Sequence, residues 1–414
     1  MIKYRASWIL PIADPPLRDG WVVTDRGRIV ACGHRAGDPE PPGITREVDL
    51  GTAVILPGLV NAHTHLELSY LRGTIAPRTA FVPWVRDVIR AQRERSDPRA
   101  PGILAAMSDA IVEAQRTGTV AVGDISNTLA GFDRLAASGL RGVVFRELIG
   151  FHPADPEALV RETCDAIDAC DRTAPVRMSL AAHAPYSVSP LLFRAIRQAI
   201  DRRPFVPGSV HVAESPEEVE FVRTGRGPWR VLLEEIGAWD PDWVAPGVTP
   251  VAYLADAGFL DQRVLAVHAV QAGRGDLDRL AARGVTIVTC PRSNRYTGVG
   301  NPPVAAFYAS GARVAIGTDS LASAPDLNLF EELAALRQLA PGVPARALLD
   351  SATRQGARAL GFEAELGAIV PGRADALIAV RIPPGTTDVE EYLVHGVRAD
   401  QIVRLEAGAG EVEA

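Results

Sequence analysis

The sequence predicts an α/β fold: a (β/α)8 barrel of the TIM type with a small β-sandwich formed by the N- and C-terminal segments together. Two observations carry this prediction. Short apolar runs alternate with longer segments rich in Ala, Arg, Glu and Leu through most of the chain, and strand-and-turn patterns occupy both ends. A barrel takes roughly 250 residues, so a chain of 414 residues leaves room for one smaller module.

Eight candidate strands can be counted in the alternating region, which is the number that a closed barrel of βα units needs. Each candidate is short and apolar or β-branched, and each is followed by a segment long enough to form a helix. The candidates are Val54–Val60, Thr119–Asp124, Gly142–Leu148, Arg177–Ala182, Ser209–Val212, Val264–Val267, Val285–Thr289 and Arg313–Ile316.

The terminal module is predicted from residues 1–56 and 362–414. Near the N-terminus, the apolar segments Trp21–Thr24 and Arg28–Ala31 flank an Asp-Arg-Gly turn. Near the C-terminus, Gly367–Val380 contains a Pro-Gly turn followed by an apolar strand. The two ends are therefore expected to pair into one composite β-sandwich.

The barrel is assigned to residues 57–361. Within it, residues 224–250 are rich in Gly, Pro and Trp and too long for a simple βα connection. Because long ordered loops on barrels tend to be functional, we interpret this stretch as a lid-like insertion at the barrel mouth. A decoration remote from the site is the alternative interpretation.

Composition and charge narrow the function classes. The net charge of −7 argues against a nucleic-acid or anionic-membrane surface and favours a small-molecule ligand. No apolar run reaches the roughly 18 residues of a membrane span, and the N-terminus lacks a signal-peptide pattern, so a cytoplasmic location is expected. The four cysteines are scattered and are expected to be reduced and structural.

Five histidines and one aspartate lie at or just beyond the C-terminal ends of predicted strands. In a (β/α)8 barrel these ends converge on one face, where active sites are built. Imidazole and carboxylate are the ligands that zinc and similar divalent metals prefer, and alternate residues of a strand point to the same side. For any one of these histidines taken alone, a hydrogen-bonded residue of the core would be the better explanation. The location of all six residues at strand ends favours a metal site. The residues are His63, His65, His183, His211, His268 and Asp319.

The motifs around these residues resemble the amidohydrolase superfamily, and within it the cytosine/adenosine/guanine deaminase and chlorohydrolase branch. The resemblance covers essentially the whole chain. It rests on the segments Pro57–Glu67, His211–Glu214, Val267–His268 and Gly317–Asp319, taken in order and spacing. The strings His63–Ser69, Cys290–Asn294 and Thr318–Leu329 also resemble a subgroup that includes the aminodeoxyfutalosine deaminases of menaquinone biosynthesis.

The resemblance implies one divalent metal, with zinc expected first and iron or manganese also suited to the ligands. The implied ligands are His63, His65, His211 and Asp319. Binuclear relatives commonly bridge two metals with a carboxylated lysine, whereas the only lysine of this chain, Lys3, lies at the extreme N-terminus. The resemblance also allows a homodimer.

The resemblance further implies catalytic roles for Glu214, His268 and Asp319. In that branch a metal lowers the pKa of bound water and supplies hydroxide, and a residue matching Glu214 shuttles protons while ammonia leaves. His268 would hydrogen-bond the attacking water, although in some relatives the matching residue also touches the metal, and Asp319 would accept the proton of that water. The alternative for Glu214 is a structural role at a helix start, where acidic residues are favoured, but that account fits Glu217 and Glu218 better.

Substrate-binding roles are assigned less directly, from positions that follow the strands. Glu67 is a candidate ribose ligand, His183 a contact to the edge of the base, and Asn294 a wall residue. Arg292 and Arg295 are candidates for holding an acidic group, since guanidinium pairs with carboxylate in a fork. Either arginine is equally well explained as a solvated charge on the rim.

We therefore expect a metal-dependent hydrolytic deaminase of an aminated heterocycle, with a 6-aminopurine nucleoside such as aminodeoxyfutalosine as the first candidate substrate. Aminodeoxyfutalosine combines such a nucleoside with a benzoate. The alternatives are hydrolysis of another amino- or halo-substituted heterocycle, such as guanine, 8-oxoguanine or a triazine, and a non-catalytic metal-binding scaffold.

Overall fold

Eight parallel strands form a nearly closed barrel in this computed structural model, which describes the chain apart from residues 35–36, 96, 171–174, 204–205 and 406–414. The strands neighbour one another in chain order. They are β6 (Leu59–Thr64), β7 (Thr119–Ser126), β8 (Arg141–Leu148), β9 (Val176–Ala182), β10 (Gly208–Val212), β11 (Val264–His268), β12 (Thr286–Thr289) and β13 (Arg313–Ile316).

The barrel closes where the residues after β13 meet the end of β6. Thr64 and Asp319 form a parallel bridge, and the amides of Thr318 and Asp319 both donate to the carbonyl oxygen of His63 at 3.1 Å. This closure brings the last predicted metal ligand next to the first two. The predicted fold class is confirmed.

Helices surround the barrel, and many begin with a proline preceded by a capping side chain. Ser189, Ser215 and Thr249 each accept a hydrogen bond from an amide of the first turn, as favoured N-caps do. The helices are α1 (Phe81–Glu94), α2 (Pro101–Arg116), α3 (Phe132–Ala137), α4 (Pro156–Asp168), α5 (Pro190–Asp201), α6 (Pro216–Thr224), α7 (Pro228–Glu235), α8 (Pro250–Asp256), α9 (Arg274–Ala282), α10 (Pro291–Thr297), α11 (Val304–Ala309), α12 (Leu329–Leu339), α13 (Ala345–Ala352), α14 (Arg354–Ala359) and α15 (Val389–Leu393). Two short 3-10 helices span Leu66–Leu71 and Ala399–Gln401.

The chain termini build a second, seven-stranded sheet in which both ends take part. One strand from the C-terminal end, β14 (Leu377–Arg381), pairs antiparallel with β5 (Ala53–Pro57) from the N-terminal part. The strands are β1 (Ile2–Ile9), β2 (Leu17–Asp25), β3 (Arg28–His34), β4 (Arg46–Asp49), β5 (Ala53–Pro57), β14 (Leu377–Arg381) and β15 (Ile402–Leu405). The proposed domain boundaries at residues 56 and 362 stay predictions, and residues 406–414 of the C-terminal segment lie outside the described residues.

The first predicted barrel strand, Val54–Val60, was wrong in one respect. The structure divides it into β5, which belongs to the terminal sheet, and β6, which begins the barrel. Residues 54–60 are buried throughout, so apolar character alone did not mark the change of sheet at Pro57-Gly58.

The barrel strands are buried on both faces, which explains their nearly continuous apolar sequences. Along β8, Val143 and Phe145 belong to the cluster that fills the barrel interior. Since side chains alternate along a strand, the next inward position at the barrel mouth is Glu147. No helix among the described residues has the length and apolar character needed to cross a membrane.

Gly317, two residues before the predicted metal ligand Asp319, is expected to tolerate no side chain. A Cβ at Gly317 would lie 2.7 Å from the carbonyl oxygen and 2.8 Å from the Cβ of His63. Gly317→Ala should lower the free energy of unfolding by about 1 to 3 kcal/mol, the usual effect of overpacking, as measured by urea denaturation. Gly342→Ala is the matched control, because its Cβ would meet nothing within 4 Å, and an equal loss in both variants would contradict the packing argument.

Candidate active site

Four side chains bring their ligand atoms together at the barrel mouth. The Nε2 atom of His63 lies 3.2 Å from Nε2 of His65 and 3.3 Å from Nε2 of His211. The Oδ1 atom of Asp319 lies 3.7 Å from Nε2 of His63 and 3.4 Å from Nε2 of His65. The four residues that the resemblance implied as ligands thus lie together at the barrel mouth, with His63 at their centre.

Part of this cluster matches a tetrahedral metal site. Ligand atoms at about 2.1 Å from a central ion are separated by about 3.4 Å at the corners of a tetrahedron, and the four separations given above are close to this value. The ligand atoms of His63, His65 and Asp319 form one close group, and those of His63, His211 and His268 form another. Burial lowers the pKa of His65 and of His211 to about 4, so both imidazoles are neutral at physiological pH, as metal ligands must be. Burial alone would raise the pKa of Asp319, but the nearby histidines, His63 first, lower it well below its usual range.

Hydrogen bonds from neighbouring groups orient the predicted ligand side chains. The Nδ1 atom of His211 lies 2.9 Å from the carbonyl oxygen of His183, which leaves Nε2 free to ligate. Ser293 and Ser323 donate to Oδ2 of Asp319 at 2.5 and 3.3 Å, so that Oδ1 faces the histidines. Asp319 itself has a φ of 60°, a left-handed conformation that is costly for an aspartate and is typical of functional sites.

Glu214 and His268 face each other beside the four ligand atoms. Nε2 of His268 lies 3.5 Å from Oε1 of Glu214, and both side chains are almost fully buried. Burial, followed by the charges of Asp319 and Glu218, raises the pKa of Glu214 well above its usual range. Burial lowers the pKa of His268 well below its usual range. Their surroundings therefore favour the protonated form of Glu214 and the neutral form of His268.

Glu218 has more than the helix-start role that the sequence suggested. Its side chain is fully buried, and its two oxygens accept hydrogen bonds from the amides of Ala213 and Glu214, both at 2.8 Å. Ala213 has a φ of 51°, so Glu218 stabilises a strained turn that presents Glu214 to the site. Burial raises the pKa of Glu218 to about 7.

A cavity of about 400 Å³ opens above these residues. Its inner end includes His65, His211, Glu214, His268 and Asp319. Its outer part is mostly apolar and lies between α1 and α7, with walls that include Phe81, Trp84, Val88, Trp229, Leu232 and Leu233. Helix α7 is part of the predicted insertion 224–250, so this portion of the insertion does line the cavity.

Two of the predicted substrate-binding residues lie at the site. His183 lines the cavity, and burial lowers its pKa to about 4. Asn294 is fully buried and its Nδ2 lies 2.9 Å from Nδ1 of His268, so it orients that imidazole and is not among the described residues that line the cavity.

The other three predicted substrate-binding residues are not among the described residues that line the cavity. The carboxylate of Glu67 accepts hydrogen bonds from Ser126, Asn127 and Thr128. Arg292 is held by ion pairs with Glu332 at 2.6 Å and Asp326 at 2.8 Å. Arg295 is exposed. These placements give no support to ribose binding by Glu67 or to carboxylate binding by either arginine, and those roles stay predictions.

Sequence reasoning missed Glu147, which lines the cavity at the end of β8. Its side chain is buried, Oε2 accepts a hydrogen bond of 2.8 Å from Asn127, and Oε1 has no hydrogen-bond partner among the described residues. The alternation Val143, Phe145, Glu147 was the available signal, because it places an acidic residue on the inward face at a strand end.

The amidohydrolase family model matches residues 54–400. The chain belongs to the amidohydrolase family. As a member of this family it is an enzyme, a hydrolase that acts on carbon–nitrogen bonds. The match spans the whole barrel and continues through β14 of the terminal sheet.

Known relatives agree with this assignment. The chain is 35% identical over 361 residues to the aminodeoxyfutalosine deaminase of Deinococcus radiodurans, covering 83% of this chain and 81% of that one. It is 32% identical over 400 residues to the 5-methylthioadenosine/S-adenosylhomocysteine deaminase of Halobacterium salinarum, covering 92% and 85%. A zinc-bound adenosine deaminase from Xanthomonas campestris superposes with a TM-score of 0.80 at 28% identity, covering 97% of this chain and 90% of that one.

Proposed function

We propose that this chain hydrolyses the exocyclic C–N bond of a 6-aminopurine nucleoside and releases ammonia, with aminodeoxyfutalosine as the first candidate substrate. The observation that carries this proposal is the pairing of Glu214 with His268 beside His63, His65, His211 and Asp319 at the inner end of the cavity. Two relatives named as deaminases of adenosine derivatives support the same reaction class.

One divalent cation, with zinc as the first choice, is proposed at His63, His65, His211 and Asp319. Three imidazole nitrogens and one carboxylate oxygen are ligands that zinc prefers, although iron and manganese accept the same set. When bound, such a cation lowers the pKa of a water molecule toward neutrality and so makes that water a nucleophile.

The protein side chains then move protons around the reacting carbon. Glu214 carries a proton in the resting site and donates it to the ring nitrogen beside the amino-bearing carbon. Asp319, whose pKa is low, accepts a proton from the attacking water, and neutral His268 holds that water by a hydrogen bond. The water oxygen bonds to carbon, and the amino nitrogen then receives the proton held by Asp319. The C–N bond breaks, ammonia leaves, and the proton of the remaining hydroxyl returns to Glu214.

The outer cavity supports a substrate with an apolar extension. Its walls include aromatic and aliphatic side chains of α1 and α7, which suit the ring of a benzoate. A shallow depression beyond them shares Ile89, Leu232 and Ile236 with the cavity and is also lined by Arg86, Arg90 and Arg93 of α1. Arg86 and Arg90 are already ion-paired with Glu235 and Asp87, so we propose Arg93 of this rim, in place of Arg292 and Arg295, as the partner of a terminal carboxylate.

Ammonia release by the zinc-loaded protein tests the substrate. We expect kcat/KM for aminodeoxyfutalosine to exceed that for unsubstituted adenosine by at least about tenfold, because the apolar wall contributes only when an extension is present. 5′-Methylthioadenosine, with its short apolar extension, should fall between them. Turnover of guanine or a triazine without turnover of any 6-aminopurine nucleoside would contradict the proposal.

A further inference from the structure

The cavity holds one carboxylate oxygen that the proposed mechanism does not use. It is Oε1 of Glu147, a buried atom without a hydrogen-bond partner among the described residues. We propose that Glu147 accepts a hydrogen bond from a sugar hydroxyl of the substrate and thereby fixes the nucleoside in the cavity. This inference rests on the proposed function and extends it to a residue that determines specificity.

The protein's own donors near Glu147 are already used. Nδ1 of His211 is 3.6 Å from Oε1, beyond hydrogen-bond range, and is directed to the carbonyl oxygen of His183 at 2.9 Å. The guanidinium of Arg146 donates to the main-chain oxygen of Glu147 and not to its carboxylate. Asn127 reaches only Oε2. A buried acceptor left without a partner is costly, so a donor on the ligand is the natural complement.

The chemistry of the acceptor selects the group that it binds. An ionised carboxylate only accepts hydrogen bonds. The donors of a 6-aminopurine nucleoside are its amino group and its sugar hydroxyls, while the ring nitrogens of its base are acceptors. In the proposed reaction, the amino group of the nucleoside lies at the inner end of the cavity, beside Glu214 and His268. The hydroxyls of the sugar therefore remain as partners for Oε1.

Glu67 provides a matched comparison within the same part of the fold. Both carboxylates are buried and both lie close to Asn127, but the oxygens of Glu67 accept hydrogen bonds from Ser126, the amides of Asn127 and Thr128, and the hydroxyl of Thr128. Glu67 has no oxygen left over for a ligand. Its sequence position beside the metal ligands suggested a ribose contact, whereas the hydrogen bonds assign that role to Glu147.

The test compares a hydroxyl-bearing substrate with analogues that lack the hydroxyl. Ammonia release is followed for adenosine, 2′-deoxyadenosine and 3′-deoxyadenosine with the zinc-loaded wild type and the variants Glu147→Gln, Glu147→Ala and Glu67→Gln. In the wild type, removal of one hydroxyl should reduce kcat/KM by about tenfold to a hundredfold, the range for a hydrogen bond to a charged group. Because each ratio is taken within one protein preparation, partial unfolding of a variant does not affect it.

The quantity compared is the ratio of kcat/KM for adenosine to kcat/KM for the deoxy analogue. This ratio should fall to within about threefold of one in Glu147→Ala, take an intermediate value in Glu147→Gln, and stay at the wild-type value in Glu67→Gln. An unchanged ratio in Glu147→Ala, or loss of discrimination in Glu67→Gln, would overturn the assignment. So would a second zinc per chain that is lost in Glu147→Gln, since Glu147, His183 and His211 also lie close enough to share an ion. Absence of turnover with every 6-aminopurine nucleoside would instead refute the proposed function itself.

Discussion

Glu214→Gln is expected to retain the metal and to lower kcat by about a hundredfold to ten-thousandfold, the range that general acid–base catalysis contributes. Glutamine keeps the size of the side chain but cannot donate the carboxyl proton that burial and the neighbouring charges of Asp319, Glu218 and Glu217 favour on Glu214. The measurement is steady-state ammonia release, with zinc content determined on the same sample.

Glu220→Gln is the matched control for this variant. It makes the same chemical change on an exposed side chain of α6, so its kcat should stay within about twofold of the wild type. A Glu214→Gln protein with full zinc and near-normal kcat would remove Glu214 from the mechanism. Loss of zinc in that variant would assign the residue a structural role at the site instead.

Asp319→Ala is expected to abolish both metal retention and activity. Its Oδ1 is the only carboxylate oxygen among the four converging ligand atoms, and the change leaves three histidines. Removal of a residue that only hydrogen-bonds to a metal ligand changes metal affinity by about tenfold to a hundredfold. Loss of a ligand itself should therefore weaken zinc binding by more than about a hundredfold. Competition with a chromophoric chelator measures that affinity.

Two further variants serve as references for the expected loss of zinc affinity and activity. Ser293→Ala removes one donor to Oδ2 of Asp319, so it should weaken zinc binding by about tenfold and leave measurable activity. Asp256→Ala removes an exposed carboxylate of α8 and should change neither quantity. Wild-type zinc affinity in Asp319→Ala would show that the metal is held by a different set of residues.

Much of the barrel was predictable because its strands are buried on both faces and read as apolar runs. Seven of the eight predicted strands overlap a single barrel strand. The exception, Val54–Val60, crosses from one sheet to the other at Pro57-Gly58 without any change in hydrophobicity. Periodicity reports that a residue is buried but not which sheet buries it, and this is the physical reason for the error.

The meeting of His63, His65, His211 and Asp319 at the barrel mouth was predictable because barrel strand ends converge whatever the surrounding loops do. The roles of the arginines and glutamates were not predictable, because they depend on which neighbouring groups pair with each side chain in the folded structure. Arg292 is neutralised by Glu332, a residue of α12 that lies 40 positions later in the chain. Glu67 and Glu147 share a residue type, and only their three-dimensional neighbours show that one is saturated and the other is not.

Titration of metal-free protein with zinc, with ammonia release from a 6-aminopurine nucleoside followed at each step, tests the central claim most directly. The four converging ligand atoms of His63, His65, His211 and Asp319 predict that activity is absent at the start, rises in proportion to added zinc and reaches its plateau at one equivalent per chain. Full activity without metal, or a plateau only at two equivalents, would contradict the account of a deaminase built on a single ion.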